Sequence, residues 1–375
     1  MWAKLFRRAP EVHTLRLQPS GEALSVGADE SLLQAALREG LPFPHNCRVG
    51  GCGECKCRLV SGKVKELTDK SYLLSAEELQ QGYILACQSR PRSDVVVEVA
   101  LREVAAAHPV VETTGRITGL HRLTPDIVHL TLTLAQPMPF SGGQHAELSV
   151  PWAAGASDDA VRRYSFASAP DLADPTRVDF FIRKVPGGRL SPWLVEQARL
   201  GEVLTVRGPH GQFGLRPGEG PMVCVAGGSG LAPIRAMLEQ AVADGQASRP
   251  LTLILAARTQ ADLYGLDAID AIRRQWGGRF RFVPVLSAEP EGSGWAGLSG
   301  MVADRLDEIL GERIGEHQAW LCGPPPMIDA CEAVLRRAGV PDARLHADRF
   351  LDASHQAQAE VQSQPHEPAS AGLAA

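Results

Sequence analysis

The chain has 375 residues, enough for two or three domains that each bury their own core. With 38 Lys+Arg against 43 Asp+Glu its formal charge is -5, and no basic stripe with interleaved aromatics occurs, which argues against a nucleic-acid partner. Its longest apolar stretches, such as Pro221 to Ala226 and Leu251 to Ala257, fall far short of the roughly 20 residues that span a bilayer.

The opening MWAKLFRRAP is basic but is followed by neither an apolar core nor a small-residue cleavage site, so no signal peptide is expected and a cytoplasmic location is. In a reducing compartment the eight cysteines are not expected to form a disulfide framework. Two β-like runs, His13 to Leu17 and Ala23 to Val26, are joined by Pro-Ser-Gly-Glu and predict a hairpin. Ser31 then caps a helical stretch, LLQAALREG, for which Gly40 is a natural stop. After the cysteine-rich loop come an alternating strand (CKCRLV), a Ser-Gly turn, a short helix around Ala76 to Gln80 and a strand VVVEV.

The loop itself carries the clearest chemistry. Cys47, Cys52 and Cys55, with Cys87 following 32 positions later, have the C-x4-C-x2-C…C spacing of a plant-type [2Fe-2S] site. Gly50, Gly51 and Gly53 let the backbone close tightly round a cluster and bring amides to the sulfurs. A zinc site more usually pairs two short C-x2-C knuckles, whereas only Cys52 and Cys55 form one. Cys57, Cys224 and Cys331 read as buried structural thiols.

Beyond a linker at 104–112, short β-like runs (IVHLTLTL, HAELSV, RVDFFIRKV, EVLTVRG) alternate with Gly and Pro clusters, as in a small antiparallel barrel. After Pro217-Gly218, the strands MVCVA, LTLILAA, RFVPVL and AWLCG each precede a helical pattern, which predicts a parallel sheet with helices on its faces. Residues 352–375 are rich in Gln, Ala, Ser and Pro and are expected to be disordered. The fold class is therefore multidomain, α+β followed by α/β.

On the cysteine spacing, the first hundred residues resemble a plant-type ferredoxin, which implies a β-grasp fold. Residues 1–103 hold 14 Lys+Arg and 13 Asp+Glu, so this module lacks the strongly acidic surface with which free plant ferredoxins find a reductase. A tethered module needs no such steering. Arg163-Tyr164-Ser165-Phe166-Ala167-Ser168 resembles the R-x-Y-S-x-x-S motif of the ferredoxin-reductase flavoproteins, with one residue fewer between Arg163 and Tyr164. The resemblance implies an arginine fork for the FAD pyrophosphate, a phenol against the flavin ring, and hydroxyls at Ser165 and Ser168, the former near flavin N5.

Lys184-Val-Pro-Gly187-Gly188-Arg189-Leu-Ser191 stands where that family makes a second pyrophosphate contact. Gly208-Pro-His-Gly211-Gln-Phe213-Gly214 resembles its barrel-closing turn. Ala226-Gly227-Gly228-Ser229-Gly230-Leu-Ala-Pro233 lies between a strand and a helix, where backbone amides can meet a phosphate, and matches the family's nicotinamide-dinucleotide loop. Cys322-Gly323-Pro324-Pro325-Pro326-Met327 matches its C-G-P-P-x-M turn, which implies that Cys322 lies by the nicotinamide C4. A nucleophilic cysteine is the competing reading, but no His base stands nearby in sequence. Phe350, at the end of the last predicted strand, is a candidate lid over the flavin, and Asp348 a lesser one.

Taken together, the chain resembles the reductase components of multicomponent bacterial oxygenases. The resemblance implies a ferredoxin domain at 10–103, an FAD barrel at 113–216 and an NAD(P)H domain at 219–350. Two electrons would enter from NADH at FAD and leave singly through the cluster to an oxygenase or hydroxylase protein. The alternatives are the same chemistry serving a deoxysugar dehydratase, or a redox-sensing carrier without turnover. Coenzyme choice turns on Arg258, which follows the second nucleotide-domain strand and could meet a 2′-phosphate; with no basic cluster around it, NADH is favoured over NADPH.

Overall fold

The structure is a computed structural model and describes residues 12–45, 49–51, 53–101, 108–150 and 161–350. The expected tail at 352–375, the opening MWAKLFRRAP, Cys47 and Cys52 lie outside the described residues.

In the first module, β1 (Val12–Gln18) and β2 (Ala23–Gly27) form the expected antiparallel hairpin, with Leu15 opposite Leu24. Helix α1 (Leu32–Arg38) starts at a capping box in which Ser31 and Gln34 satisfy each other's backbone amides, as residues of these types do at a helix start. Its Leu32, Leu33, Ala35 and Ala36 are buried against the sheet. The chain continues through β3 (Lys56–Ser61), β4 (Val64–Glu66), α2 (Ala76–Gln80), β5 (Tyr83–Leu85), β6 (Ser89–Pro91) and β7 (Val95–Glu98). The sheet order is β2-β1-β7-β3-β5, with β1 and β7 parallel at its centre, and β4 pairs β6 apart from it. This is a β-grasp layout.

Next come β8 (Val111–Arg122), β9 (Ile127–Leu134), β10 (His145–Ser149), β11 (Arg162–Ser165), β12 (Arg177–Arg183), helix α3 (Leu190–Glu196) and β13 (Val203–His210). They make an antiparallel sheet ordered β11-β10-β13-β8-β9-β12, and a bridge between Phe166 and Phe180 joins its two edges, so the sheet closes on itself. Alternate residues such as Leu130, Leu132, Leu148, Phe180, Leu204 and Val206 fill the interior. Strand β8 begins at Val111, inside the stretch expected to be linker.

The third sheet contains β14 (Met222–Gly227), β15 (Leu251–Ala257), β16 (Phe280–Leu286), β17 (Leu298–Ser299), β18 (Gln318–Gly323) and β19 (Leu345–Arg349), all parallel, ordered β17-β16-β15-β14-β18-β19. Helices α4 (Leu231–Ala243) and α5 (Leu266–Gln275) cover one face, while α6 (Leu306–Leu310) and α7 (Pro325–Arg337) cover the other. Along β14 this division is visible residue by residue: Met222, Cys224 and Ala226 join the α4 side, Val223 and Val225 the α7 side. The strand order reverses between β14 and β18, and in open α/β sheets ligands bind outside the carboxyl ends at such a point.

Barrel and parallel sheet share a core. Ile127, Ala167, Phe181 and Phe213 of the barrel pack in the same cluster as α4, α5 and Cys322. Hydrogen bonds cross the seam from Trp320 Nε1 to the Gly214 carbonyl (3.0 Å), from the Gly142 amide to Gln240 Oε1 (2.6 Å) and from the Ala169 amide to Glu239 (3.0 Å).

Candidate active site

At the cluster end, Cys55 and Cys87 are buried (3% and 6% exposed) and adjacent, with the Cys87 amide donating to Cys55 Sγ at 3.4 Å. Gln88 Nε2 donates to Cys87 Sγ at 3.7 Å. Donors aimed at sulfur are what thiolates bound to iron require. The loop is tied down by the Tyr72 hydroxyl, which donates to the Gly50 carbonyl. Gly50 has φ +80, and a Cβ there would come 2.7 Å from Gln88, so this tight turn admits only glycine without displacement. The described half of the ligand set thus fits a [2Fe-2S] cluster. Cys57 is buried beside it; burial, then the neighbouring Cys87, pushes its thiol up to about 12, as expected of a structural cysteine. Beyond the loop, Glu54 faces Gln212, Gly214, Arg216 and His346 across a small cleft, so the cluster loop abuts the barrel's closing turn and the last strand of the parallel sheet.

In the flavin barrel, β11 turns the two arginines of the motif to opposite faces. Arg163 lies opposite Glu147 and pairs with it at 3.3 Å, and Arg207 reaches the same carboxylate at 3.1 Å. Burial alone would raise the Glu147 carboxyl, but His210, Arg163 and Arg207 together hold it below the usual range. Residues two apart on a strand share a face, so Arg162, not Arg163, is on the Tyr164 side. Arg162-Arg163-Tyr164-Ser165 then has the full R-x-Y-S spacing, a register available in the sequence. Tyr164 and Trp193 both pack on the barrel core, and burial pushes the Tyr164 phenol up. Ser191 Oγ accepts from the Val185 amide (3.1 Å), which ties the start of α3 to the Gly187-Gly188 turn. Gly187 has φ +74, with open space where a side chain would stand.

Ser165 is buried (6% exposed) opposite His145. Ser168 Oγ donates to Asp179 at 3.4 Å. That carboxylate also accepts from His129 Nε2 (2.8 Å) and Thr131 Oγ1 (2.6 Å). Burial works to raise Asp179, but these hydrogen bonds outweigh it and hold the carboxyl at about 2.

The nucleotide loop lies at the sheet's switch point. Gly227, Gly228, Ser229 and Gly230 connect β14 to α4, and Pro233 is buried in the first turn of that helix. A Cβ on Gly230 would lie 2.3 Å from the Cys322 carbonyl oxygen, and one on Gly227 would lie 2.6 Å from Met327 Sδ. Gly323, at φ +144, comes so close to Gly227 that a Cβ would sit 2.9 Å from its oxygen. The loop and the Cys322-Gly323-Pro324 turn are therefore one interlocked unit. Cys322 is fully buried beneath it; burial, then Asp348 on the neighbouring strand, pushes its thiol well up, so a thiolate nucleophile is not supported. Phe350 donates its amide to the Gly323 carbonyl (2.9 Å) and packs partly buried on the cluster containing Phe181 and Cys322. Arg258 is exposed at the end of β15.

Two residues had no local signal. Arg183, at the end of β12, comes within 3.9 Å of a Cβ position on Gly228, which puts a barrel cation beside the nucleotide loop. Tyr264 is buried at the same seam and donates to the Gly228 carbonyl at 2.8 Å.

A ferredoxin-type cluster loop, a flavin barrel and a nucleotide sheet in one chain define an iron-sulfur flavoprotein oxidoreductase. Family models agree module by module: a 2Fe-2S iron-sulfur cluster binding domain at 15–92, an oxidoreductase FAD-binding domain at 115–214 and an oxidoreductase NAD-binding domain at 224–333. The xylene/toluene monooxygenase electron transfer component XylA of Pseudomonas putida is 42% identical over 348 residues, covering 93% of this chain and 96% of the relative. The phenol 2-monooxygenase reductase component DmpP of Pseudomonas sp. (strain CF600) is 32% identical over 91% of this chain and 95% of its own length. Among solved structures, the Amycolatopsis cytochrome P450 reductase GcoB matches with a TM-score of 0.71 and 33% identity, over 90% of this chain and 98% of that one. The chain belongs to the family of electron-transfer reductase components of multicomponent oxygenases. No helix among the described residues is long and apolar enough to cross a membrane.

Proposed function

We propose that this chain takes electrons from NADH and delivers them, through FAD and its [2Fe-2S] cluster, to the hydroxylase component of a bacterial monooxygenase in the cytoplasm. The observation that carries the reading is the shared core at the switch point, where the nucleotide loop, Cys322 and Phe350 meet Ala167 and Phe181 of the flavin barrel. FAD, when bound, supplies the conversion between two-electron and one-electron chemistry. The protein's part is to hold and align.

In this reading Cys47, Cys52, Cys55 and Cys87 ligate the cluster. Arg162 takes the pyrophosphate role first given to Arg163, Tyr164 lies against the flavin, and Ser165 faces its reactive edge. Ser168 is oriented by Asp179. The Gly187-Gly188 turn and Ser191 complete the flavin cradle. Gly227 to Gly230, Pro233, Gly323 and Pro324 form the dinucleotide seat, Cys322 floors it, and Phe350 covers it. The working modules are 10–103, 113–216, with β8 reaching back to Val111, and 219–350.

NADH over NADPH is supported at the end of β15. Gln260, two residues beyond Arg258, binds Glu289 through its backbone amide (2.7 Å) and its side-chain amide (2.6 Å). A fixed carboxylate there opposes a 2′-phosphate. The holoprotein should reduce ferricyanide and cytochrome c with NADH, with a kcat/KM about ten-fold or more above that for NADPH. Failure to oxidise either coenzyme would reject the reading.

A further inference from the structure

We propose that Tyr264 is a positioning residue for the dinucleotide: its hydroxyl orients the Gly228-Ser229 peptide, and its ring fastens the nucleotide loop to the flavin barrel. The inference rests on the assignment of Gly227 to Gly230 to the dinucleotide.

The hydroxyl lies 2.8 Å from the Gly228 carbonyl, which also accepts from the Leu231 amide at the start of α4. A peptide unit is planar and trans, so fixing the Gly228 C=O also fixes the Ser229 N–H, which points the opposite way, away from the tyrosine. Gly228 has φ +55 and no side chain, so this peptide has the freedom to rotate that a donor must suppress. Ser229 N–H is one of the amides at the strand-to-helix junction where a phosphate is received.

The ring provides the second half of the argument. It meets Phe181 edge to face at 5.2 Å between centroids, and Phe181 meets His129 in the same way at 5.4 Å. His129 holds Asp179, which holds Ser168 of the flavin motif. From the other side, Arg235 of α4 stands 5.7 Å over the Phe181 ring and pairs with Glu239 at 2.6 Å; Glu239 in turn accepts from the Ala169 amide at 3.0 Å. The nucleotide loop and the Ser165 to Ala169 segment are thus joined through two side-chain routes that meet at Phe181. Such a seam would set the distance between the two ring systems that exchange hydride, a quantity to which rate is sensitive at the scale of 1 Å.

The test uses the full-length, FAD-loaded, oxidised protein and NAD+ binding by titration calorimetry, beside steady-state kinetics with ferricyanide. Tyr264→Phe keeps the ring and removes only the donor. It should weaken NAD+ binding and raise the NADH KM about five-fold, the size of one lost hydrogen bond, with kcat and FAD content unchanged and the melting temperature lowered by about 4 °C or less. Tyr264→Leu should also lower kcat and melting temperature, because the seam opens. Ser229→Asp, which places a carboxylate in the loop, tests the underlying assignment and should weaken NAD+ binding by ten-fold or more. NAD+ affinity of Tyr264→Phe within about 1.5-fold of the parent, while Ser229→Asp is impaired, would overturn the tyrosine's role alone. Unchanged binding in Ser229→Asp would overturn the loop assignment and the inference with it.

Discussion

Replacing Gly230 by alanine puts one methyl group where the backbone of β18 already stands. The new Cβ would lie 2.3 Å from the Cys322 oxygen, 2.6 Å from its carbonyl carbon and 2.9 Å from the Gly323 nitrogen, against ordinary contact at 3.4–4 Å. Gly230 has an ordinary helical φ of -61, so the effect is steric and not a matter of backbone strain. Strand β18 cannot yield, because each of its six residues is buried and it is paired on both sides, with β14 and β19. The loop must lift by about 1 Å, at an overpacking cost of about 1–3 kcal/mol. Lifting would also draw its amides off the pyrophosphate they are proposed to hold, and hydrogen bonds to charged groups are worth about 1.5–3 kcal/mol each. NADH binding should therefore weaken by roughly 10- to 100-fold, read as KM in the ferricyanide assay, with FAD retained. Gly245→Ala is the control: its φ is +69 but no atom lies within 4 Å of the added methyl, so it should cost about 1 kcal/mol of stability and leave the NADH KM alone. A parental KM in Gly230→Ala would refute the interlocked loop.

Arg162→Ala should release FAD on gel filtration, whereas Arg163→Ala, which loses the partner Glu147, should keep it; the reverse result would restore the original register. Asp179→Asn tests the anchor behind Ser168. The carboxyl is held at about 2 against about 3.9 in an unfolded chain. A depressed folded pKa stabilises fully above the unfolded value, and that contribution is lost as pH falls from about 4 to about 2. The variant should be about 2 kcal/mol less stable at neutral pH, with the gap to the parent closing over that acid window in flavin-release melts. A gap that stays constant with pH would contradict the assignment.

Much of this was legible in the sequence because the signals were local. The four strands of the parallel sheet first identified appear where their apolar runs lie, and Ser31 caps α1 through a four-residue box. Strand β8 was harder, since Gly115 and Gly119 break its apolar alternation. Gly115 is there because a Cβ would come within 3.1 Å of Leu132, Leu134 and Val206, a requirement set by two other strands. The choice between the two arginines was open to spacing as well, since Arg162 stands in the full R-x-Y-S interval, and the pairing of Arg163 with Glu147 supports the same choice. Tyr264 had no local signal at all: its hydrogen-bond acceptor lies 36 residues away and its aromatic partner on another sheet.

The central claim is that electrons enter at the nucleotide site and leave only through the cluster. Cys55→Ser removes a buried thiol, a proposed cluster ligand, on the loop that abuts the barrel turn. With NADH as donor, the variant should lose reduction of cytochrome c and of the hydroxylase while keeping ferricyanide reduction near the parental rate. Equal loss of all three activities, or undiminished cytochrome c reduction, would contradict the account.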